Sequence, residues 1–420
     1  MGLFTLAVTG EKSSQAQMID KFRMPSMGGL IKSSLDEIKR IPPEELELLY
    51  ARDPIGFNMV NTLTDMIMSG GYTIFSKDKK ILNYYTTFFK EIGEIGEPIT
   101  LKYLFENIYR NQFAYGNAFV QILWEKKGKK IIDLTLIDPK RVDYLKANDG
   151  RVILDENNLP IGYTIKKDYG DETKGDIIPE EYARAVGATK LNTYFLFAER
   201  ICHFKINTIG DRLWGIGILE PSYKSTIRKL NIEEGQANSV YKNGFNPLVG
   251  YVGSERKVAT PKDLEWVSEL LSNLDVTKVG AFPDWVKIDT LKYDQSSIVP
   301  NTLEYMRENQ ISPAGIPMAL ASGKADTTNK STLGIHLQLL QFKLKILVEN
   351  TLETFSKYIL ERINYYNKVG GIPEIKWGPV GPADKENLVK DIIASVSQGI
   401  FTAKEVREKL AKELGISIDG

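Results

Sequence analysis

Cysteine and histidine are nearly absent from this 420-residue chain, which carries only Cys202, His203 and His336. A lone thiol excludes an internal disulfide framework and any multi-cysteine zinc or iron–sulfur site, so metal chemistry would have to rest on carboxylates. Excess charge of either sign is missing too, because 54 Lys and Arg balance 54 Asp and Glu. Proteins held on nucleic acid or anionic lipid by bulk electrostatics carry a surplus of cations, so any DNA contact here is expected to be local or weak. No apolar run approaches the ~18 residues needed to span a bilayer, and Met1–Gly10 lacks the basic region and apolar core of a secretory leader. No membrane partner is expected, and the cytosol is the expected place of assembly. What remains is 42% hydrophobic and 26% charged residues, the composition of a globular protein; at ~150 residues per domain the length allows about three domains.

The pattern along the chain predicts an α+β fold. Residues 1–50 look loosely structured, a partly disordered arm ending in a helix start at Pro42-Pro43-Glu44-Glu45. Ile55, Met59, Leu63, Met66 and Ile67 recur at helical spacing up to Gly70-Gly71, and Tyr72–Phe75 then reads as a strand. Helices are expected over 81–92 and 101–113, and strands at Ala118–Trp124, Ile131–Ile137, Arg151–Leu154, Ile161–Ile165 and Ile201–Lys205. Gly215-Ile216-Gly217 reads as a hinge before a helix of over twenty residues from Pro221. A compact insert follows, with strands at Leu248–Val252, Val279–Phe282 and Val286–Leu291 and a helix capped by Thr260-Pro261. That helix carries an apolar stripe of Leu264, Val267, Leu271 and Leu274. Beyond a helix at 297–310, apolar residues from Leu333 to Ile363 repeat every three to four positions, which predicts a helix of ~35 residues and ~50 Å. A strand at Glu374–Trp377 and two short final helices complete the chain.

Catalytic signatures are missing. No phosphate-binding G-x-x-x-x-G-K-[ST] loop occurs, Gly215-Ile216-Gly217 lacks the third glycine of a dinucleotide loop, and there is no G-x-S-x-G elbow, H-E-x-x-H pair or calcium loop. Cys202 and His203 are neighbours on a predicted strand, so they face opposite ways and cannot form a nucleophile pair; a buried thiol is expected. His336 is expected to be a surface residue, and the basic run Lys126–Lys130 a solvated hairpin tip.

The order of several short motifs is more informative. Tyr115-Gly116-Asn117-Ala118-Phe119-Val120, then Leu136-Ile137-Asp138-Pro139-Lys140-Arg141-Val142, then Ile201-Cys202-His203-Phe204 resemble the wing-domain signature of tailed-phage portal proteins. Trp214–Pro221 resembles that family's entry into a stem helix, and Tyr241–Pro247 its exit. Ile316-Pro317 with Leu320, and Gly399–Arg407, resemble its two C-terminal motifs.

The resemblance implies a ring, a dodecamer, at one capsid vertex of a virion assembled in the host cytoplasm. It implies a wing at 1–217, stem helices at 218–243 and 295–312, a clip at 244–294, a tunnel-loop region at 313–332, a spine helix and wing return strand at 333–381 and a crown at 382–420. Its implied partners are double-stranded DNA in the channel, a terminase large subunit that hydrolyses the packaging ATP, the major capsid protein or scaffold, and a head–tail adaptor. Cofactors, metals and catalytic residues are not expected. DNA contacts are assigned to Ser322, Lys324, Thr327, Thr328, Asn329 and Lys330 in the tunnel loop, and motor or adaptor docking to Lys262, Glu265, Glu269 and Trp285 in the clip. The rival readings are a packaging-associated nuclease, which needs convergent carboxylates for two metals, and another neck or connector protein.

Overall fold

The computed structural model describes residues 40–90, 92, 100–125, 130–167, 175–186, 192–210, 212–243, 248–253, 258–272, 283–290, 298–318 and 330–380. In chain order, α1 (Pro43–Arg52), α2 (Pro54–Met68), β1 (Tyr72–Phe75), α3 (Lys79–Phe88) and α4 (Leu101–Tyr115) lead into β2 (Asn117–Trp124), β3 (Ile131–Ile137), β4 (Val142–Tyr144) and β5 (Gly162–Lys166). Next come α5 (Glu180–Val186), β6 (Thr193–Phe197), β7 (Ile201–Lys205), α6 (Leu219–Asn243), β8 (Leu248–Val252), α7 (Pro261–Ser272), β9 (Val286–Thr290) and α8 (Ile298–Ile311). The last are α9 (Lys330–Phe355), a π-helical turn at Ser356–Leu360, α10 (Glu361–Asn367) and β10 (Glu374–Trp377).

Two compact units result, one holding Ile41–Pro221 and the described part of Pro313–Gly420, the other Ser222–Ser312. In the larger unit, side-chain caps set the helix starts: Asp53 accepts from the Gly56 N–H at 2.6 Å for α2, and Thr100 from the Tyr103 N–H at 3.3 Å for α4. Gly116, at φ 76°, ends α4 with its N–H on the Gln112 carbonyl. Antiparallel sheets form in the orders β3-β2-β7 and β4-β5-β6, and a buried cluster including Phe119, Ile137, Tyr144, Tyr163, Leu196 and Ile201 packs the two together. A third, two-stranded sheet pairs β1 with β10, registering Tyr72 against Trp377. The Trp377 indole N–H donates to the Ile67 carbonyl at 2.9 Å, and Asn367 bridges both backbone groups of Ile131, so the end of the described chain is tied to its beginning.

In the smaller unit β8 and β9 pair antiparallel from Leu248↔Thr290 to Val252↔Val286. Gly250 lets α7 lie close on this pair, since a Cβ there would stand 2.7 Å from Val267 Cγ1. Arg307 of α8 reaches Glu233 of α6 at 3.2 Å.

Several expectations need correction. Residues 151–154 form isolated bridges, Lys146↔Val152 and Leu154↔Pro160, instead of a strand, because Asp149-Gly150 and Asn157-Asn158 turn the chain too soon for a ladder to extend. Strands β4 and β6 and helix α5 were not anticipated. The first is only three residues long, and the other two lie within or beside the polar stretch 168–193. The long C-terminal helix begins at Lys330 and is interrupted by the π-turn. Leu264 is 53% exposed and does not belong to the buried stripe of α7. Of the arm expected over 1–50, residues 43–50 belong instead to α1, whose Leu46 and Leu49 are buried, while 1–39, the strand expected at 279–282, the Lys126–Lys129 part of the basic run and the crown at 382–420 lie outside the described residues.

Candidate functional site

Three segments far apart in sequence close into one buried knot. Gly116 and Gly215 approach so tightly that a Cβ on Gly116 would lie 2.5 Å from the Gly215 carbonyl group, and one on Gly217 2.6 Å from the Ala114 oxygen and the Gly116 nitrogen. Gly215-Ile216-Gly217 is therefore not the hinge its sequence suggested; its glycines make room for another stretch of backbone. Asn117 fills the centre of the knot. Its Nδ2 donates to the carbonyls of Tyr115 at 2.8 Å and Gly215 at 3.1 Å, and its Oδ1 accepts from the Gly215 N–H at 2.8 Å. Ile216 N–H to the Ile206 carbonyl at 2.9 Å and Ile218 N–H to the Phe113 carbonyl at 2.8 Å complete the tie and fix where α6 begins at Leu219.

His203 extends this network into the sheets. Because Asn117 Oδ1 already accepts from a backbone N–H, His203 Nε2, 3.0 Å away, must be the donor, and in the neutral imidazole Nδ1 is then the acceptor. Tyr144 Oη at 3.1 Å and Tyr163 Oη at 3.3 Å both face Nδ1, and Tyr144 also donates to the Leu213 carbonyl at 3.0 Å. The Tyr163 hydroxyl faces both the ring nitrogen and the Tyr144 hydroxyl. The imidazole stacks on Phe119 with centroids 4.3 Å apart, as the pairing Phe119↔His203 requires. Burial pushes the Tyr163 phenol far above its ordinary pKa, so it stays protonated as a donor. Cys202 lies on the other face, 1% exposed, and burial pushes its thiol pKa up as well, which makes it a poor nucleophile at neutral pH. The knot therefore holds structure in place. Among the described residues no group of three or more His, Cys, Asp or Glu could hold a metal ion.

The insert carries the other candidate surface. α7 opens with a reciprocal cap in which Asp263 Oδ2 accepts from the Thr260 N–H at 3.0 Å and the Thr260 hydroxyl at 2.7 Å. Asp263 is therefore a capping residue. Lys262, Glu265 and Glu269 are exposed along one side of α7, and Trp285 is half-buried in the turn before β9. The Trp285 ring lies 6.1 Å from that of Trp266, which follows Glu265 on α7, is 42% exposed and was not anticipated.

Residues 46–413 match the family model described as the portal protein of Mu bacteriophage. The chain belongs to this portal family. No curated protein matches it. It is similar to the neck of a native gene transfer agent particle computed with C12 symmetry, at 13% identity over 88% of this chain and 94% of that one, with TM-score 0.54. The neck of an empty particle computed with C6 symmetry gives 13% identity over 92% and 99%, with TM-score 0.58. The virion of the native agent gives 14% identity over 92% and 99%, with TM-score 0.54. At these identities the structures show a shared fold, the α+β portal fold expected from sequence. In the portal chain, three of the motifs behind the resemblance, at Tyr115–Val120, Ile201–Phe204 and Trp214–Pro221, supply the knot, while Tyr144 and Tyr163, which the motifs omit, complete it. Of the tunnel-loop residues, Lys330 opens α9; Ser322, Lys324, Thr327, Thr328 and Asn329 lie outside the described residues.

Proposed function

We propose that copies of this portal chain assemble into a ring, a dodecamer, at one capsid vertex. Double-stranded DNA enters through its channel during packaging and leaves through it at ejection, and the ring connects head to tail. The observation that carries this reading is the family match over 46–413. Its support includes a fold shared with necks computed with C12 and C6 symmetry. Balanced charge suits a conduit, because a lumen dense in Lys and Arg would hold DNA by phosphate neutralisation.

In this reading α6 and α8 are stem helices, the β8–α7–β9 insert they bracket is the clip, and α9 is the spine. The wing is 1–217 and the crown 382–420. A separate terminase docks on the clip through Lys262, Glu265, Glu269 and Trp285 and supplies ATP hydrolysis, and the chain itself is not an enzyme. Ser322, Lys324, Thr327, Thr328, Asn329 and Lys330 touch passing DNA. Capsid protein or scaffold and a head–tail adaptor complete the vertex in a virion assembled in the host cytoplasm. Electron microscopy of the purified protein tests the ring directly: annular particles with a central channel are expected, and monomers at every salt and protein concentration would overturn it.

A further inference from the structure

Helix α9 is apolar on two opposite sides. Leu340, Leu344, Val348 and Phe355 are buried. Ile335, Leu339, Phe342 and Ile346 lie 55–64% exposed. At 100° per residue these four fall within an arc of about 60° on the side away from the core, a stripe of three turns spaced four, three and four residues apart. They offer on the order of 400 Å² of apolar surface, within the range of the largest patch on a typical monomer, which is often functional. Beside the stripe, about a quarter-turn round the same helix, runs a groove of about 890 Å³ between α9 and β10. Val348, Leu352 and Ile375 line it with Gln341, Phe342 borders both it and the stripe, and Lys345 and Lys376 share the lining with Glu349 and Glu374.

We propose that the Ile335–Leu339–Phe342–Ile346 stripe of one copy seats in the α9–β10 groove of the next. The inference rests on the ring reading and names one of its contacts. A closed ring needs two different surfaces on each copy, one received and one presented, and a stripe and a groove on different sides of one helix meet that need. The groove's rim balances two lysines with two glutamates, so it offers no cationic track for DNA and suits an uncharged apolar ridge. A stable interface takes about 800 Å² per partner, so the stripe supplies about half and other contacts the remainder.

Two variants of the full chain test this: Leu339→Asp with Ile346→Asp on the stripe, and Gln341→Trp filling the groove. Leu339→Ser, which does not touch the groove, is a milder stripe variant should the double aspartate fail to fold. Each is expected to keep the wild-type circular dichroism and melting temperature but to need at least about tenfold more protein for half-assembly, read by mass photometry. Mixing the two folded variants is expected to give dimers, because the intact stripe of one meets the intact groove of the other. Folded variants that assemble at wild-type concentration, or a mixture that gives no dimer, overturn the inference while leaving the ring reading intact. Wild-type protein that never forms rings overturns both.

Discussion

Asn117 and Gly215, 98 positions apart, hold each other by two hydrogen bonds, Gly215 N–H to Asn117 Oδ1 at 2.8 Å and Asn117 Nδ2–H to the Gly215 carbonyl at 3.1 Å. A side-chain amide here imitates a paired strand, closing a backbone that has no ladder partner of its own. It also makes His203 Nε2 a donor, since the same Oδ1 that accepts from Gly215 faces it at 3.0 Å.

Replacing Asn117 by Ala should therefore be costly. It strands the Gly215 N–H and His203 Nε2–H with nothing to accept them and leaves the Tyr115 carbonyl without its donor, a loss of about 2–4 kcal/mol. Asn117→Asp should not rescue it, because a carboxylate has no proton for the two carbonyls and would repel them. Urea midpoints of both variants check this; an Asp variant as stable as wild type would contradict the assigned hydrogen-bond directions.

Gly116 and Gly150 both have positive φ, 76° and 85°, but differ in what surrounds them. A Cβ on Gly150 meets nothing within 4 Å, whereas one on Gly116 would strike backbone at 2.5 Å. Gly150→Ala should lose only the left-handed penalty of about 1 kcal/mol, and Gly116→Ala more than about 3 kcal/mol, because the strand-to-helix junction must spread. Thermal unfolding of the pair measures the difference.

Much of this architecture was legible in the sequence because its signals are local. Strict helical spacing from Ile55 to Ile67 marks α2, short apolar runs bounded by turns mark β2, β3 and β7, and Thr260-Pro261 marks the start of α7. The knot itself was not legible. His203 and Asn117 are 86 positions apart, and only the register of β2 with β7 brings them together. The glycines at 215 and 217 looked like a hinge because what they accommodate is another backbone, which no local window contains. Trp266 escaped for a related reason: only the fold brings its ring beside Trp285, 19 positions away.

Alkaline pH should unfold the protein in two overlapping stages. Burial raises the thiol of Cys202 above its ordinary 9.0 and the phenols of Tyr85, Tyr109, Tyr115 and Tyr163 above 10.0. The folded state then keeps protons that the unfolded chain releases, so stability is at its full value below about pH 8.5 and falls as pH rises through 9 and 10. Urea midpoints from pH 7 to 11 should show this decline. Cys202→Ala should remove the portion beginning near pH 9 and leave the tyrosine portion unchanged, with tyrosinate absorbance rising only as the chain unfolds.

The insert yields the most direct functional prediction. Glu265 and Glu269 are exposed on α7 and lie off its buried side at Val267, so Glu265→Lys with Glu269→Lys should leave folding and ring assembly unchanged. If the packaging motor docks here, reversing two charges should slow its association and make it less sensitive to salt, since rim charges govern approach more than final affinity. Trp266→Ala should behave differently. The indole is nearly half exposed and lies beside Trp285, so it offers the kind of aromatic anchor that dominates binding energy, and its loss should weaken motor binding by about 1–2 kcal/mol through faster dissociation. Binding kinetics of purified rings and motor, taken at two salt concentrations, separate the two effects. Rings carrying all three substitutions that bind the motor and package DNA at the wild-type rate would place the docking surface on another part of the chain.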